Sequence, residues 1–449
     1  MKMIIDGKKV DSESGLTFDI INPATGEVIE AVPKATEKDV IAAIDAAEKG
    51  QKVWAEMPVW QRAQVLYKFL DIVDANKEAL AQTLCAENGK PITEARAEIG
   101  NIRIGFSGFI EAAKHYYGSI IPQGQEQGQD KNMQLITREP IGIVACIIPF
   151  NFPCDLYDQK VAPALMMGNA AIVLPSSDNP LTLMKLTEML VEAGVPNGAI
   201  QCLTAPGSVK AAANLTHTAL ELGGNDAFIV LDDGDVDLAV EELIWGRMYN
   251  TGQVCCASKR FLIHNSLKDE FAKKAVERIS RLKVGMPADE TTQVGCLISE
   301  KAAVKVEEQV KKTVEQGGRI LLGGKRKGAF YEPTVITDVP KTADVAVDME
   351  IFGPVVPIIG FDTDEEAIEI ANKSIFGLSS CVFSRDQKRA FKVASKMEAG
   401  GAVINGASFF RAFEQPFGGW KHSGIGTEGV FSTFDEMTLS KTIVLKNIF

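Results

Sequence analysis

The sequence predicts an α/β protein built on open parallel sheets, on three observations. Short runs apolar on both faces read as strands buried from either side: Ile141-Gly142-Ile143-Val144-Ala145-Cys146-Ile147-Ile148-Pro149, Ala170-Ala171-Ile172-Val173-Leu174 and Ala227-Phe228-Ile229-Val230-Leu231. Segments with helical periodicity lie between strand-like runs, as crossovers between parallel strands require. At 449 residues the chain exceeds one ordinary hydrophobic core, so two or more domains are expected.

Along the chain, the N-terminal stretch reads as short strands joined by turns, with Asn22-Pro23-Ala24-Thr25-Gly26-Glu27 as a turn between two apolar runs. Thr36 is suited to cap a helix with Val40, Ile41, Ile44 and Ala47 on one face. Further helical patterns cover residues 61–86 and 92–113. After the second apolar run come a helix over 181–193 and a strand over 199–204. After the third, helices are expected near 236–249, 267–282, 300–316 and 365–371. Strands are expected near 355–361 and 402–404, and residues 439–445 alternate like a strand.

The net charge of -12 and the lack of a long basic run argue against a nucleic-acid partner, because phosphate contacts need clustered Lys and Arg. Eight cysteines are scattered without a C-x-x-C pair, which fits a reducing compartment and neither a disulfide framework nor a metal site. The N-terminus turns polar too soon for a signal peptide, and no apolar stretch is long enough to span a membrane. A cytoplasmic protein with no metal, no membrane and no nucleic-acid partner is expected.

The chemistry centres on Cys255, in Asn250-Thr251-Gly252-Gln253-Val254-Cys255-Cys256. A nucleophilic cysteine acts as its thiolate and needs a proton acceptor. The four histidines, His115, His217, His264 and His422, stand beside no second catalytic group. The acceptor is therefore expected to be a carboxylate, and Glu221, in Leu220-Glu221-Leu222-Gly223-Gly224-Asn225, is the best placed. Blander readings stand beside these. Buried cysteines are usually small core residues, and Asn151 between Pro149 and Pro153 serves a turn equally well. Cys256 reads as structural, since adjacent side chains point apart.

Five motifs occur in order: Pro149-Phe150-Asn151-Phe152-Pro153, Leu220-Glu221-Leu222-Gly223-Gly224-Asn225, Gly252-Gln253-Val254-Cys255, Glu350-Ile351-Phe352-Gly353-Pro354, and Pro416-Phe417-Gly418-Gly419-Trp420-Lys421 with Ser423-Gly424-Ile425-Gly426. Together they resemble the aldehyde dehydrogenase superfamily over nearly the whole chain. The resemblance implies two parallel-sheet α/β domains plus a protruding oligomerisation hairpin. Residues 1–115 and 138–222 would form a Rossmann-like cofactor domain, 223–432 the catalytic domain, and 116–137 with 433–449 the oligomerisation segment. The hairpin would pair with the strand near 438–445. Its Ile120, Ile121 and Leu135 would be an aggregation liability if uncovered, so a homodimer or homotetramer is expected.

The resemblance also implies roles. Cys255 would attack the aldehyde carbon. The Asn151 side-chain amide and the Cys255 backbone N–H would stabilise the oxyanion. Glu221 would activate water to hydrolyse the thioester. Glu350 would hold the nicotinamide ribose and Phe352 would position its ring. Pro149, Phe150, Ser176, Ser177, Leu222 and Gly223 would complete the contacts to NAD or NADP, with Gly223-Gly224 letting the backbone pass close.

Two departures fall in that cofactor site. Leu174 stands where the superfamily usually carries a ribose-binding lysine, and Ser177 where NAD-preferring members often carry an acid, which leaves NADP open. After Ala205-Pro206-Gly207-Ser208, roughly thirty residues are missing, about one strand-helix unit. The helix N-terminus that would favour the pyrophosphate lies in that unit. Weakened cofactor binding is expected, with disorder or rearrangement over residues 207–220.

For the substrate, the helix after Phe152 offers polar side chains, Asp155 and Gln159 among them. Arg411 across from it would pair either with a substrate carboxylate or phosphate, or with a protein carboxylate at the surface. A small polar aldehyde, such as a semialdehyde or hydroxyaldehyde, is the expected substrate, oxidised to its acid. The alternatives are a cofactor-independent thiol esterase using Cys255, Asn151 and Glu221, and a non-catalytic relative.

Overall fold

A computed structural model describes residues 1–205 and 216–448. The first sheet has five strands, in the order Lys8–Val10, Met3–Ile5, Ile200–Cys202, Ala170–Pro175 and Ile143–Ile148. The last three run parallel, and Met3–Ile5 runs antiparallel to both its neighbours. Six helices pack with this sheet: Glu37–Glu56, Val59–Ala75, Lys77–Asn88, Ile92–Ala113, Pro153–Met166 and Leu181–Ala193.

Thr36 caps the first of these helices. Its hydroxyl accepts the Asp39 N–H, and the Asp39 carboxylate accepts the Thr36 N–H at 2.8 Å, a reciprocal box that satisfies two orphan donors. The buried face differs from the expected one. It is the small-residue stripe Ala43, Ala47 and Gly50 with Trp54, while Ile41 and Ile44 are exposed. Close approach explains this: a Cβ on Gly50 would collide with the backbone of residues 197–199. The helical pattern over 61–86 is two helices, broken at Asn76, whose φ of -116° leaves the helical region.

The second sheet has seven strands, in the order Arg319–Leu322, Thr334–Thr337, Val355–Phe361, Ser258–His264, Asp226–Val230, Ser380–Phe383 and Val403–Ile404. All neighbours are parallel except the first pair. Apolar clusters pack on both of its faces. A third sheet joins Thr438–Leu445, Met133–Pro140 and Ser119–Ile121, all antiparallel. It carries exposed Ile120, Leu439, Ile443 and Val444.

One apolar run departs from its reading. Asp226–Val230 is buried throughout. Ile143–Ile148 instead lies last in its sheet, and Ile147 is 48% exposed. Among the described residues, no strand pairs with its outer edge; Leu220–Glu221 pairs with Gly424–Ile425 instead. The expected disorder over 207–220 falls largely on residues 206–215, outside the described residues. No helix among the described residues is long and apolar enough to cross a membrane.

Candidate active site

The turn that presents Cys255 is conformationally costly and heavily braced. Asn250 and Thr251 have φ of 48° and 54°, left-handed values that non-glycine residues seldom adopt. Bracing comes from several sides. The Asn250 N–H donates to Glu94 at 2.8 Å, and its side-chain amide donates to the carbonyls of Asn151 (2.8 Å) and Gln253 (3.1 Å). Gln253 in turn accepts the Ile298 N–H at 2.9 Å. Gly252, at φ 76°, lies so close to Gly353 and Pro354 that a Cβ would collide with them. The Cys255 loop is thereby locked against the helix Ile92–Ala113, the Pro149–Pro153 segment and the Phe352 loop.

The Cys255 Sγ donates to Glu221 Oε1 at 3.2 Å. Glu221 is held there by the short strand Leu220–Glu221, whose partner Gly424 is tight enough that a Cβ would strike the Leu220 carbonyl. The thiol is held well above its usual range by its hydrogen bond with Cys256, by burial and by the Glu221 charge, so the resting proton stays on sulfur. Burial and the nearby charge of Glu428 raise Glu221, against the pull of Lys160, Arg411 and the Cys255 hydrogen bond.

Glu428 is the hub behind this pair. It accepts from Lys160 at 2.6 Å and from Arg411 at 3.0 Å. Burial opposes its ionisation, but the two cations prevail and hold it at about 2. The Arg411 guanidinium also lies 4.2 Å from the centre of the Phe417 ring. Of the two partners weighed for Arg411, the structure supplies the protein carboxylate, and the pair is mostly buried rather than at the surface.

Asn151 is positioned through its backbone. Its carbonyl accepts from Lys90 at 2.9 Å as well as from Asn250. Lys90 forms a fully buried ion pair with Glu98, and Glu98 accepts the Cys154 N–H at 2.8 Å. Lys90 also sits 4.4 Å from the centre of the Phe152 ring. A cavity of about 260 Å³ brings Asn151, Glu221 and Cys255 together with Phe152, Asp155, Gln159 and Arg411. Its walls include Trp245, Tyr249, Phe409 and Phe413. Burial and the nearby Glu98 charge push Asp155 up to about 7.

The residues expected to meet a dinucleotide lie along a neighbouring surface. Pro149-Phe150 and Ser176-Ser177 follow the carboxyl ends of adjacent parallel strands, where Ile148 pairs with Pro175. Ligands of open α/β sheets bind at such ends. Phe150 meets Phe352 edge-on, with centroids 5.9 Å apart. Glu350 is held by the buried Lys259 at 3.1 Å and faces the Gly224 N–H at 3.4 Å. A Cβ on Gly223 would collide with that carboxylate. A partly exposed acid beside a glycine cradle is suited to ribose hydroxyls. Leu222 is exposed, and Leu174 is half-buried with no donor to offer an adenosine ribose.

Four functional-looking groups escaped the sequence reading, Glu428, Lys259, Lys90 and Glu98, and in it Lys160 is only one of the polar residues on the helix after Phe152. Lys259 also donates to the Cys255 carbonyl, tying the Cys255 backbone to Glu350. Lys160 and Glu428 lie 268 residues apart, so no local pattern links them. Only Lys90 and Glu98 were close enough in sequence to suggest a pair.

The family model described as the aldehyde dehydrogenase family matches residues 9–212 and 208–443. The chain is 36% identical to a glutarate-semialdehyde dehydrogenase of Pseudomonas putida, covering 95% of this chain and 93% of that one. It is 37% identical to a lactaldehyde dehydrogenase of Methanocaldococcus jannaschii, covering 99% and 100%. That alignment runs over 473 positions against 449 residues here, so at least 24 positions have no counterpart in this chain. A crystal structure of betaine aldehyde dehydrogenase from Staphylococcus aureus in complex with NAD+ superposes with a TM-score of 0.95 at 34% identity, covering 99% of this chain and 95% of that one.

Proposed function

The chain belongs to the aldehyde dehydrogenase family, whose members oxidise small aldehydes with NAD or NADP, and on that premise we propose that Cys255, Glu221 and Asn151 carry the reaction here. The carrying observation is the Cys255 thiol 3.2 Å from Glu221 in a cavity that Asn151 also lines. Glu221 takes the thiol proton as sulfur attacks the carbonyl carbon. The Asn151 amide and the Cys255 N–H meet the oxyanion as it forms. The bound dinucleotide supplies a hydride acceptor. Loss of hydride from the carbon as the oxyanion collapses leaves a Cys255 thioester; Glu221 passes the thiol proton to solvent and, ionised again, removes a proton from the water that hydrolyses the thioester and frees the Cys255 sulfur. Burial and Glu428 raise the proton affinity of Glu221, while Lys160 and Arg411 oppose them.

The substrate reading is a small polar aldehyde contacting Phe152, Asp155, Gln159 and Arg411, in keeping with the semialdehyde and lactaldehyde substrates in the relatives' names. The dinucleotide reading places Pro149, Phe150, Ser176, Ser177, Leu222, Gly223, Glu350 and Phe352 around it, with weakened affinity. That weakening is supported by Leu174, by the family match falling into two segments that meet at residues 208–212, and by the unmatched alignment positions. A homodimer or homotetramer in the cytoplasm is supported by the exposed apolar residues of the third sheet and by the absence of paired cysteines.

Aldehyde-dependent NADH or NADPH formation, lost in Cys255→Ala, is the expected result. Ester cleavage that needs Cys255 while no aldehyde is oxidised with either dinucleotide would overturn it in favour of a thiol esterase. Isothermal titration is expected to give weak dinucleotide binding. A micromolar or tighter dissociation constant would remove the proposed weakening and leave the reaction intact.

A further inference from the structure

Among the described residues, the buried polar side-chain atoms of the substrate cavity that lack a partner are acceptors. Asp155 and Gln159 stand four residues apart on the helix Pro153–Met166 and so share a face. Both line the cavity. Asp155 Oδ1 and Gln159 Oε1 are buried without a hydrogen-bond partner among the described residues, and Gln159 as a whole is only 4% exposed. Asp158, next to them on the helix, is fully buried with both carboxylate oxygens unpartnered.

Each cation nearby has a carboxylate partner, Arg411 through a single nitrogen. Arg411 and Lys160 both bind Glu428, and Lys90 binds Glu98. No cation is paired with Asp155 or Asp158 among the described salt bridges. Unsatisfied buried acceptors are costly, and a ligand that brings donors relieves them, whereas a ligand carboxylate adds negative charge and two more acceptors. The aromatic faces of Trp245, Tyr249 and Phe409 are compatible with a cation.

Resting on the aldehyde dehydrogenase reading of this site, we propose that the cavity selects aldehydes whose far end donates hydrogen bonds and carries no negative charge, with Asp155 and Gln159 as the residues that read it. A hydroxyl and an ammonium both have this chemistry. Carboxylated semialdehydes are disfavoured, despite the arginine in the wall.

The test is kcat/KM of the full chain with glyceraldehyde, aminopropanal, propanal and succinate semialdehyde. The better of the hydroxylated and ammonium substrates is expected to exceed the carboxylated one by about tenfold or more. Which of the two leads identifies the donor. Asp155→Asn is expected to bring that ratio to within about threefold. Succinate semialdehyde equal to or better than both donors would overturn the proposal, as would an unchanged ratio in a folded Asp155→Asn protein. If that variant does not fold, the wild-type ranking decides. Failure to oxidise any of the four, propanal included, would be a failure of the dehydrogenase reading instead. The ranking is then read without turnover, from protection of Cys255 against iodoacetamide by propanediol, aminopropanol and hydroxybutanoate. Hydroxybutanoate protecting at least as well as the other two would overturn selection for a donor.

Discussion

Two strands of similar composition lead into the site and end in opposite circumstances. Asp226–Val230 follows Gly223-Gly224-Asn225, is buried along its length and is paired with a parallel strand on each side. Ile143–Ile148 leads into the Pro149–Pro153 motif, yet it is paired on one side only among the described residues and turns Ile147 outward. The seven-stranded sheet therefore anchors the chain just after Gly223-Gly224-Asn225 on both sides, whereas Glu221 itself is held by the separate pairing of Leu220–Glu221 with Gly424–Ile425. The Asn151 carbonyl is held instead by two side-chain donors, Lys90 and Asn250, from outside the sheet.

Four changes break or sharpen this contrast, from the largest expected effect downward. Cys255→Ala should lower aldehyde oxidation by about four orders of magnitude or more while both strands stay intact. A thermal midpoint close to wild type would show that chemistry and framework separate cleanly, and a large drop would tie the thiol to the fold. Next, Lys90→Met strands the Glu98 carboxylate in the interior and should cost about 3–5 kcal/mol in denaturant unfolding. A cost under about 1 kcal/mol would mean that the clamp is not what holds the Asn151 segment.

The third change concerns pH. Burial pushes Glu94, which braces the Asn250 turn, up to about 8. Between the ordinary carboxylate range and that value the folded chain holds a proton that the unfolded chain has released. Its contribution therefore makes stability fall as pH rises through this window. Glu94→Gln should flatten the fall, and thermal melts across the window that keep the wild-type slope would contradict it. Glu428 has the opposite sign. Its low folded value adds stability above the ordinary carboxylate range, and that stability is lost as pH falls toward about 2.

The smallest expected effect is the most direct comparison. Ile229→Val should cost about 1 kcal/mol at the buried strand, and Ile147→Val less than about 0.5 kcal/mol at the edge. Equal costs by chemical denaturation would erase the distinction between the two strands.

What could be read from the sequence was whatever neighbouring residues specify together. Cys255 and Glu221 stand in short runs whose glycines are required locally, since a Cβ at Gly252 or Gly223 collides with the segments they pass. Helix starts such as Thr36 depend on side chains three residues apart and were equally legible. The identity of the buried face of that helix was not, because small residues won their place through a close approach that periodicity does not register.

Tertiary structure alone decided which charges meet. Arg411 had a choice of partners in the sequence, and only folding brought Glu428 to it and Lys160 to the same carboxylate. Likewise, apolarity marked Ile143–Ile148 as a strand but said nothing about how many neighbours it would have. Hydrophobicity is a property of each residue, whereas edge pairing and charge pairing belong to two segments at once, and their meeting depends on the path of the whole chain.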